Sequence, residues 1–280
     1  MTAPPIALLT DFGTEDTYVG VMKGVIADIA PTSPIFDVTH AVPQGDIRQG
    51  AFKLWQSIRF FPKGTVFVVV IDPGVGTDRR AVAFSWKDRL VVGPDNGVFT
   101  YLLMEEPAKE AAVLENHDYQ LHVVSTTFHG RDIFAPAGGH LAAGVRLQDF
   151  GDPAGELIRF PLPRLDQQAD SAVDGEILHV DHFGNLISSI GFLKRDRDKI
   201  HIQSWMPEGP ARDFPAAHPK VLLPDGRKLD LEGTFGDVPQ GDLVAYIGSE
   251  AMLEVAVNRG NAARALGLGP GDPVKLTFDD

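Results

Sequence analysis

Residues 71–80, IDPGVGTDRR, stop an apolar run on Asp72 and return two arginines, Arg79 and Arg80, after a proline- and glycine-rich turn. A carboxylate with a guanidinium folded back beside it stays ionised and can polarise a small molecule held next to it. The same pair can equally be a brace for the loop. Segment 10–16, TDFGTED, ends a second apolar run on Asp11, with Gly13 free to make a tight turn. Asp11 can accept hydrogen bonds from a ribose diol, as acidic residues do at strand ends in nucleotide-binding folds, or it can cap the helix that follows. In 126–136, TTFHGRDIFAP, His129 stands before a glycine, with Arg131 and Asp132 able to cap or pair locally. Its ring can reach a cleft or stay structural. Asp11, Asp72, Asp95 and His129 together include the donors a hard metal would need, which makes a metal-dependent hydrolase one reading. The glycines of GVG lack the third glycine of a dinucleotide fingerprint, and no phosphate-binding P-loop is present.

The elements that must deliver these groups alternate. Apolar strands are expected at 6–10, 34–39 and 65–72, with more near 81–86 and 89–93. Helical spacing marks 16–31 and 46–62, with Asp46 placed to cap the second, and helices start again near 95 and 128. Continuous apolar strands between helices imply an α/β domain with a mostly parallel sheet covered on both faces. Such sheets bind ligands beyond the carboxyl ends of their strands, where Asp11, Asp37 and Asp72 are expected.

The pattern changes at 160–175, a Pro- and Asp-rich stretch without periodicity. We expect a first domain at 1–165, a linker at about 166–171 and a second domain at 172–280. Short strands with frequent turns fill the second domain, as in a small antiparallel barrel or sandwich. In 180–190, VDHFGNLISSI, Asp181, Phe183 and Asn185 surround a turn that Gly184 makes possible. Phe183 can stack on a flat base, and Asn185 offers both donors and acceptors, or the segment is only a hairpin turn. In 248–263, GSEAMLEVAVNRGNAA, Ser249 and Glu254 flank a strand, and the RGNAA that follows can show backbone groups to an adenine edge.

Composition narrows the classes. The chain has 280 residues, 44% of them apolar and 22% charged, with a formal net charge of -13. An acidic surface argues against binding nucleic acid through phosphates and suits a cationic small ligand. Without cysteine there are no disulfides, thiolate nucleophiles or cysteine-ligated metals. No apolar run approaches a membrane span and no secretory leader is evident at the start, so a cytoplasmic location is expected.

Taken together, LLTDFG, IDPGVGTDRR, GPDNGVFT, FHGRDIFAPAG, VDHFGN and VNRGNAA resemble, in order, the motifs of the S-adenosylmethionine (SAM) hydrolase family. These adenosine-forming enzymes, also called SAM hydroxide adenosyltransferases, are related to the SAM-dependent fluorinase and chlorinase. The resemblance runs from residue 8 to 263. It implies a Rossmann-like first domain, a β-barrel second domain and a homotrimer with sites between subunits. The implied reaction is SAM plus water to adenosine plus L-methionine, metal-independent and without a cofactor. By the same resemblance Asp72, Arg79 and His129 handle the water. Asp11, Asp72, Asn185, Ser249, Glu254 and the Val257 backbone contact adenosine, while Asp181 and Phe183 fall on a methionine-side and packing region. Halogenases carry an extra loop in the first domain, for which the motif spacing here leaves no obvious room, and the fluorinase has an aromatic where Leu186 and Ile187 follow FGN. Both departures favour hydrolysis over halogenation. A sensor that binds SAM or adenosine without turnover is the remaining alternative.

Overall fold

The computed structural model describes residues 3–168, 172–197, 199–206, 209, 211–215 and 218–278. The chain divides into two compact units, Met1–Phe160 and Pro161–Asp280.

The first unit is built on strands β1 (Ile6–Thr10), β2 (Ile35–Thr39), β3 (Val66–Val70), β4 (Ala81–Trp86), β5 (Arg89–Pro94) and β6 (Glu110–Val113). Their order is β2-β1-β3-β5-β4-β6. β2, β1, β3 and β5 run parallel, and β4 runs antiparallel to both its neighbours, β5 and β6. β1 and β3 are buried along their whole length because helices cover both faces. Ile6, Leu8, Val66, Val68 and Val70 pack with Met22 and Ile26 of α1 (Tyr18–Ile29) and with Ala137 and Leu141 of α4 (Ala135–Ala142). The alternate residues Ala7, Leu9, Phe67 and Val69 are equally buried and point to the other face. There α2 (Ile47–Ile58) lies against β1 and beside α3 (Thr100–Glu105). Asp46 caps α2 as its position in the sequence implies, accepting from the Gln49 amide at 3.0 Å. The helix expected from residue 128 begins as a π-helical turn, Gly130–Phe134, before α4 takes over. Short β6, an edge strand, carries too little periodicity to be read from sequence.

The second unit contains β7 (Leu165–Gln168), β8 (Ala172–Val180), β9 (Leu186–Gly191), β10 (Leu193–Arg195), β11 (Lys199–Ile202), β12 (Arg212–Pro215), β13 (Lys220–Leu222), β14 (Lys228–Glu232), β15 (Leu243–Ile247), β16 (Met252–Val257) and β17 (Pro273–Thr277), with the short helix α5 (Ala262–Leu266). Seven strands close a barrel in the order β17-β13-β14-β15-β16-β9-β8, and β8 returns to β17. β10, β11 and β12 form a separate three-stranded sheet that the turn-rich sequence does not announce. Barrel pairs are antiparallel except β14 and β15, which run parallel. A hairpin would have paired them antiparallel; the connection 233–242 instead carries a 3-10 turn, Phe235–Asp237, capped through Thr234 and Asp237, and re-enters in the same direction. Ile177, Leu186, Ile190, Val221, Leu231, Leu253, Val255 and Leu276 fill the interior. Of the expected linker 166–171, the first residues belong to β7, which pairs with β8, and 169–171 lie outside the described residues. No helix among the described residues is long and apolar enough to cross a membrane.

Candidate active site

At the carboxyl edge of the first unit's sheet, Asp72 lies two residues beyond the end of β3. The loop after it folds back, and Arg79 clamps the carboxylate: Nε donates to Oδ1 at 2.9 Å and to Oδ2 at 3.1 Å, and Nη2 donates to Oδ2 at 2.5 Å. Both side chains are almost wholly withdrawn from solvent, 5% exposed for Asp72 and 9% for Arg79. A two-pronged ion pair at this depth interacts far more strongly than a surface pair. The guanidinium also lies 5.2 Å from the centre of the Phe134 ring.

The same Nη2 meets His129 Nδ1 at 2.6 Å. A guanidinium has donors only, so Nδ1 must be the acceptor. The ring is then neutral, with its proton on Nε2. Burial lowers the His129 pKa, and the Arg79 charge lowers it further, against the opposing pull of Asp72 and Asp132. Two loops separated by about 50 residues in sequence thus meet through one arginine.

The loops are fixed before they meet. Gly76 adopts φ +78°, and a Cβ there would come 2.5 Å from the Thr126 carbonyl oxygen. Only glycine lets the 72–79 loop lie against the segment leading to His129. On that segment Asp132, buried to 0% exposure, accepts from the Ser125 amide at 2.8 Å, the Ser125 hydroxyl at 2.6 Å and Arg131 Nε at 2.5 Å. Burial would raise the Asp132 pKa, but these hydrogen bonds overcome it and hold the group below the usual carboxylate range. The Ser125 hydroxyl also accepts from the Phe128 amide at 3.0 Å, next to His129.

Asp11 does not cap α1, whose N-terminus has no side-chain cap. Its Oδ2 instead accepts from the Gly45 amide at 2.7 Å. Burial raises the Asp11 pKa and the nearby Asp72 charge adds to the rise, against the pull of backbone hydrogen bonds. Asp37 departs from expectation. It lies inside β2, opposite Leu8, and pairs with Lys23 at 2.7 Å and His40 at 2.9 Å rather than joining Asp72. The two arginines divide. Arg80 turns to Asp95, at 2.9 Å through Nε, and to the Ala154 and Glu156 carbonyls. Asp95 in turn accepts from the Ile158 amide at 2.8 Å. It is therefore committed to bracing, and among the described residues no three acidic, histidine or cysteine side chains converge as a metal site.

In the second unit Asp181 organises the turn between β8 and β9. Its Oδ1 accepts from the Phe183 amide at 2.9 Å and the Asn185 amide at 2.8 Å, and its Oδ2 from the Asn185 side chain at 2.9 Å. Gly184, at φ +86°, packs directly against the Asn261 side chain, and Asn261 caps α5. β16 runs beside β9, with Glu254 opposite Ile187 and Val255 opposite Leu186, so Glu254 is brought near Asn185. Glu254 accepts from the Tyr246 hydroxyl at 2.5 Å. Burial raises its pKa, and the Asp181 charge raises it further, against the Tyr246 hydrogen bond. Ser249 is exposed on the turn between β15 and β16, and Phe183 is 71% exposed beside its hairpin. The Val257 carbonyl accepts from the Gly260 amide at 2.9 Å, so it forms part of the turn after β16.

Three contributors escape sequence reading. Tyr246 lies directly across from Glu254, a pairing that follows only once the β15–β16 hairpin register is known. Ser125 is a common loop residue whose role needs the position of Asp132. His40 reads as a stray polar residue after a strand.

Residues 6–151 match the SAM hydroxide adenosyltransferase N-terminal domain and residues 175–275 the corresponding C-terminal domain. An (R)-S-adenosyl-L-methionine hydrolase of Thermus thermophilus is 39% identical, over 97% of this chain and 99% of that protein. One from Salinispora tropica is 40% identical, over 98% of each. A fluorinase of Actinoplanes is 30% identical over 98% of this chain and 97% of its own length, in an alignment of 304 residues against 279 for the Salinispora protein. A crystal structure of an uncharacterised conserved protein from Thermotoga maritima superposes with a TM-score of 0.83 at 34% identity, covering 97% of this chain and 99% of that one.

Proposed function

The chain belongs to the SAM hydroxide adenosyltransferase family, and from that premise we propose that Asp72, Arg79 and His129 are the groups with which it hydrolyses S-adenosyl-L-methionine to adenosine and L-methionine. The observation that carries the assignment is Arg79, bonded at once to Asp72 and to His129.

A sulfonium makes C5′ of the ribose electrophilic and leaves as neutral methionine, so departure needs no general acid and no cofactor. The oxygen of water bonds to C5′ as the C5′–S bond breaks, and one proton is released. What the protein supplies is a water aimed in line and kept from competing solvent. Asp72 Oδ2 accepts twice from Arg79 and Oδ1 once, so Oδ1 keeps the freer lone pair for a water proton. Neutral His129 keeps Nε2–H as a donor to the water oxygen. Arg79 locks both groups and favours negative charge developing on that oxygen.

In the same reading Asp11 and Asp72 hold the ribose. Asn185, Ser249, Glu254 and the Val257 backbone hold the adenine side, and Asp181 and Phe183 lie toward methionine. The first unit's parallel-rich sheet is taken as Rossmann-like. Active sites form between neighbouring subunits of a homotrimer, and the enzyme works in the cytoplasm. The acidic balance of the chain suits a cationic substrate.

A halide-using transferase is the nearest rival because fluorinases are related. Incubation with SAM in high chloride or fluoride, followed by mass analysis, separates the two. Equal amounts of adenosine and methionine support hydrolysis. Accumulation of a 5′-halo-5′-deoxyadenosine would replace it with halogenation.

A further inference from the structure

β2 delivers to the sheet edge not Asp37 but His40, and the site as read so far does not use it. His40 is 5% exposed and Thr10, the last residue of β1, is 0% exposed. His40 Nδ1 meets the Thr10 hydroxyl at 2.8 Å, and its Nε2 meets Asp37 Oδ1 at 2.9 Å. The other Asp37 oxygen accepts from Lys23 Nζ at 2.7 Å. The Thr10 oxygen accepts from the Phe12 amide at 3.3 Å, and the His40 carbonyl accepts from the Gly13 amide at 2.8 Å. Asp11 lies between Thr10 and Phe12, directly before these two anchored amides, and its carboxylate accepts from the Gly45 amide.

The chain of donors has one sense. An ionised carboxylate only accepts, so Nε2 carries a proton toward Asp37. In the neutral ring Nδ1 accepts from the Thr10 hydroxyl, which leaves the Thr10 oxygen to accept from Phe12. Every polar atom along this path has a partner, so a change at one point leaves a buried group unmatched. We propose that His40 is a positioning residue that holds the Asp11 loop through Thr10, oriented in turn by the Asp37–Lys23 pair. This rests on Asp11 being a substrate-binding group, as read above.

The two ring nitrogens can be tested apart. His40→Asn keeps a polar atom near the Nδ1 position and reaches Thr10, whereas His40→Gln reaches Asp37 instead. Thr10→Val removes the hydroxyl with little change of shape, and Thr10→Ser restores it. Turnover of SAM by the unaltered full chain tests the hydrolase reading by itself. Adenosine affinity by calorimetry, KM and kcat for SAM, and melting temperature of each variant test the positioning role. Thr10→Val and His40→Gln are expected to weaken adenosine binding and raise KM about tenfold, with kcat changed less. His40→Asn and Thr10→Ser should stay within about threefold of the parent, and Thr10→Val should add nothing in a His40→Gln background. Equal affinity in the Asn and Gln variants, or a Thr10→Val protein that loses melting temperature but no affinity, overturns the proposal.

Discussion

The two units place their polar groups differently. In the first, Asp72, Arg79 and His129 reach one point from two loops, and the opposite charges of Asp72 and Arg79 hold them there. In the second, Asp181 and Asn185 share one hairpin, and Glu254 and Tyr246 face each other across adjacent strands. Charge therefore does in the first unit what sheet register does in the second. Groups on loops gain their geometry from one another, which suits chemistry that develops charge. Groups on a closed barrel inherit theirs from the scaffold, which suits recognition of a rigid ligand.

That contrast predicts unequal consequences. Asp72→Ala or His129→Ala should lower kcat by roughly 10²- to 10⁴-fold, with the circular-dichroism spectrum of the parent. Steady-state kinetics near parental values in either variant would remove the trio from the chemistry. Gly76→Ala touches none of the three, yet forces the loops apart at Thr126. A loss of order 10- to 100-fold in kcat is expected from misalignment alone. Tyr246→Phe leaves Glu254 without its buried donor and should raise KM by about five- to tenfold with kcat near the parent. If it lowered kcat as strongly as Gly76→Ala, the division between chemistry and recognition would fail.

The smallest expected effect is on pH. His129 must be neutral to accept from Arg79, and burial with the Arg79 charge holds its pKa below the ordinary 6.5. The acid limb of kcat against pH should therefore have its midpoint below 6.5. The stability that goes with a depressed histidine pKa is present above 6.5 and is lost as pH falls through the lowered value. A midpoint above 6.5 would mean a protonated ring and a different partner for Arg79.

Much of the first unit was legible because buried parallel strands and capped helices write long periodic patterns. Asp46 can be placed to the residue, and the return of an arginine toward Asp72 can be read from the turn, because both relations are local. Position along the chain misplaces Asp37: the last residue of β2 is Thr39, two beyond it, and the β1–β2 register shifts after Leu8. That shift is a pairing property, invisible along one strand. The same limit hides Tyr246 opposite Glu254 and the parallel β14–β15 pair, since both depend on how two strands are paired and not on the pattern within either one. The division of labour between Arg79 and Arg80, adjacent and chemically alike, came from the family resemblance. In the structure it follows from which carboxylate each one can reach.

The most direct test of the account is turnover of SAM in H₂¹⁸O with mass analysis of both products. Attack of water on C5′ predicts one heavy oxygen in adenosine and none in methionine. Unlabelled adenosine, or SAM left intact by the full chain, would contradict it.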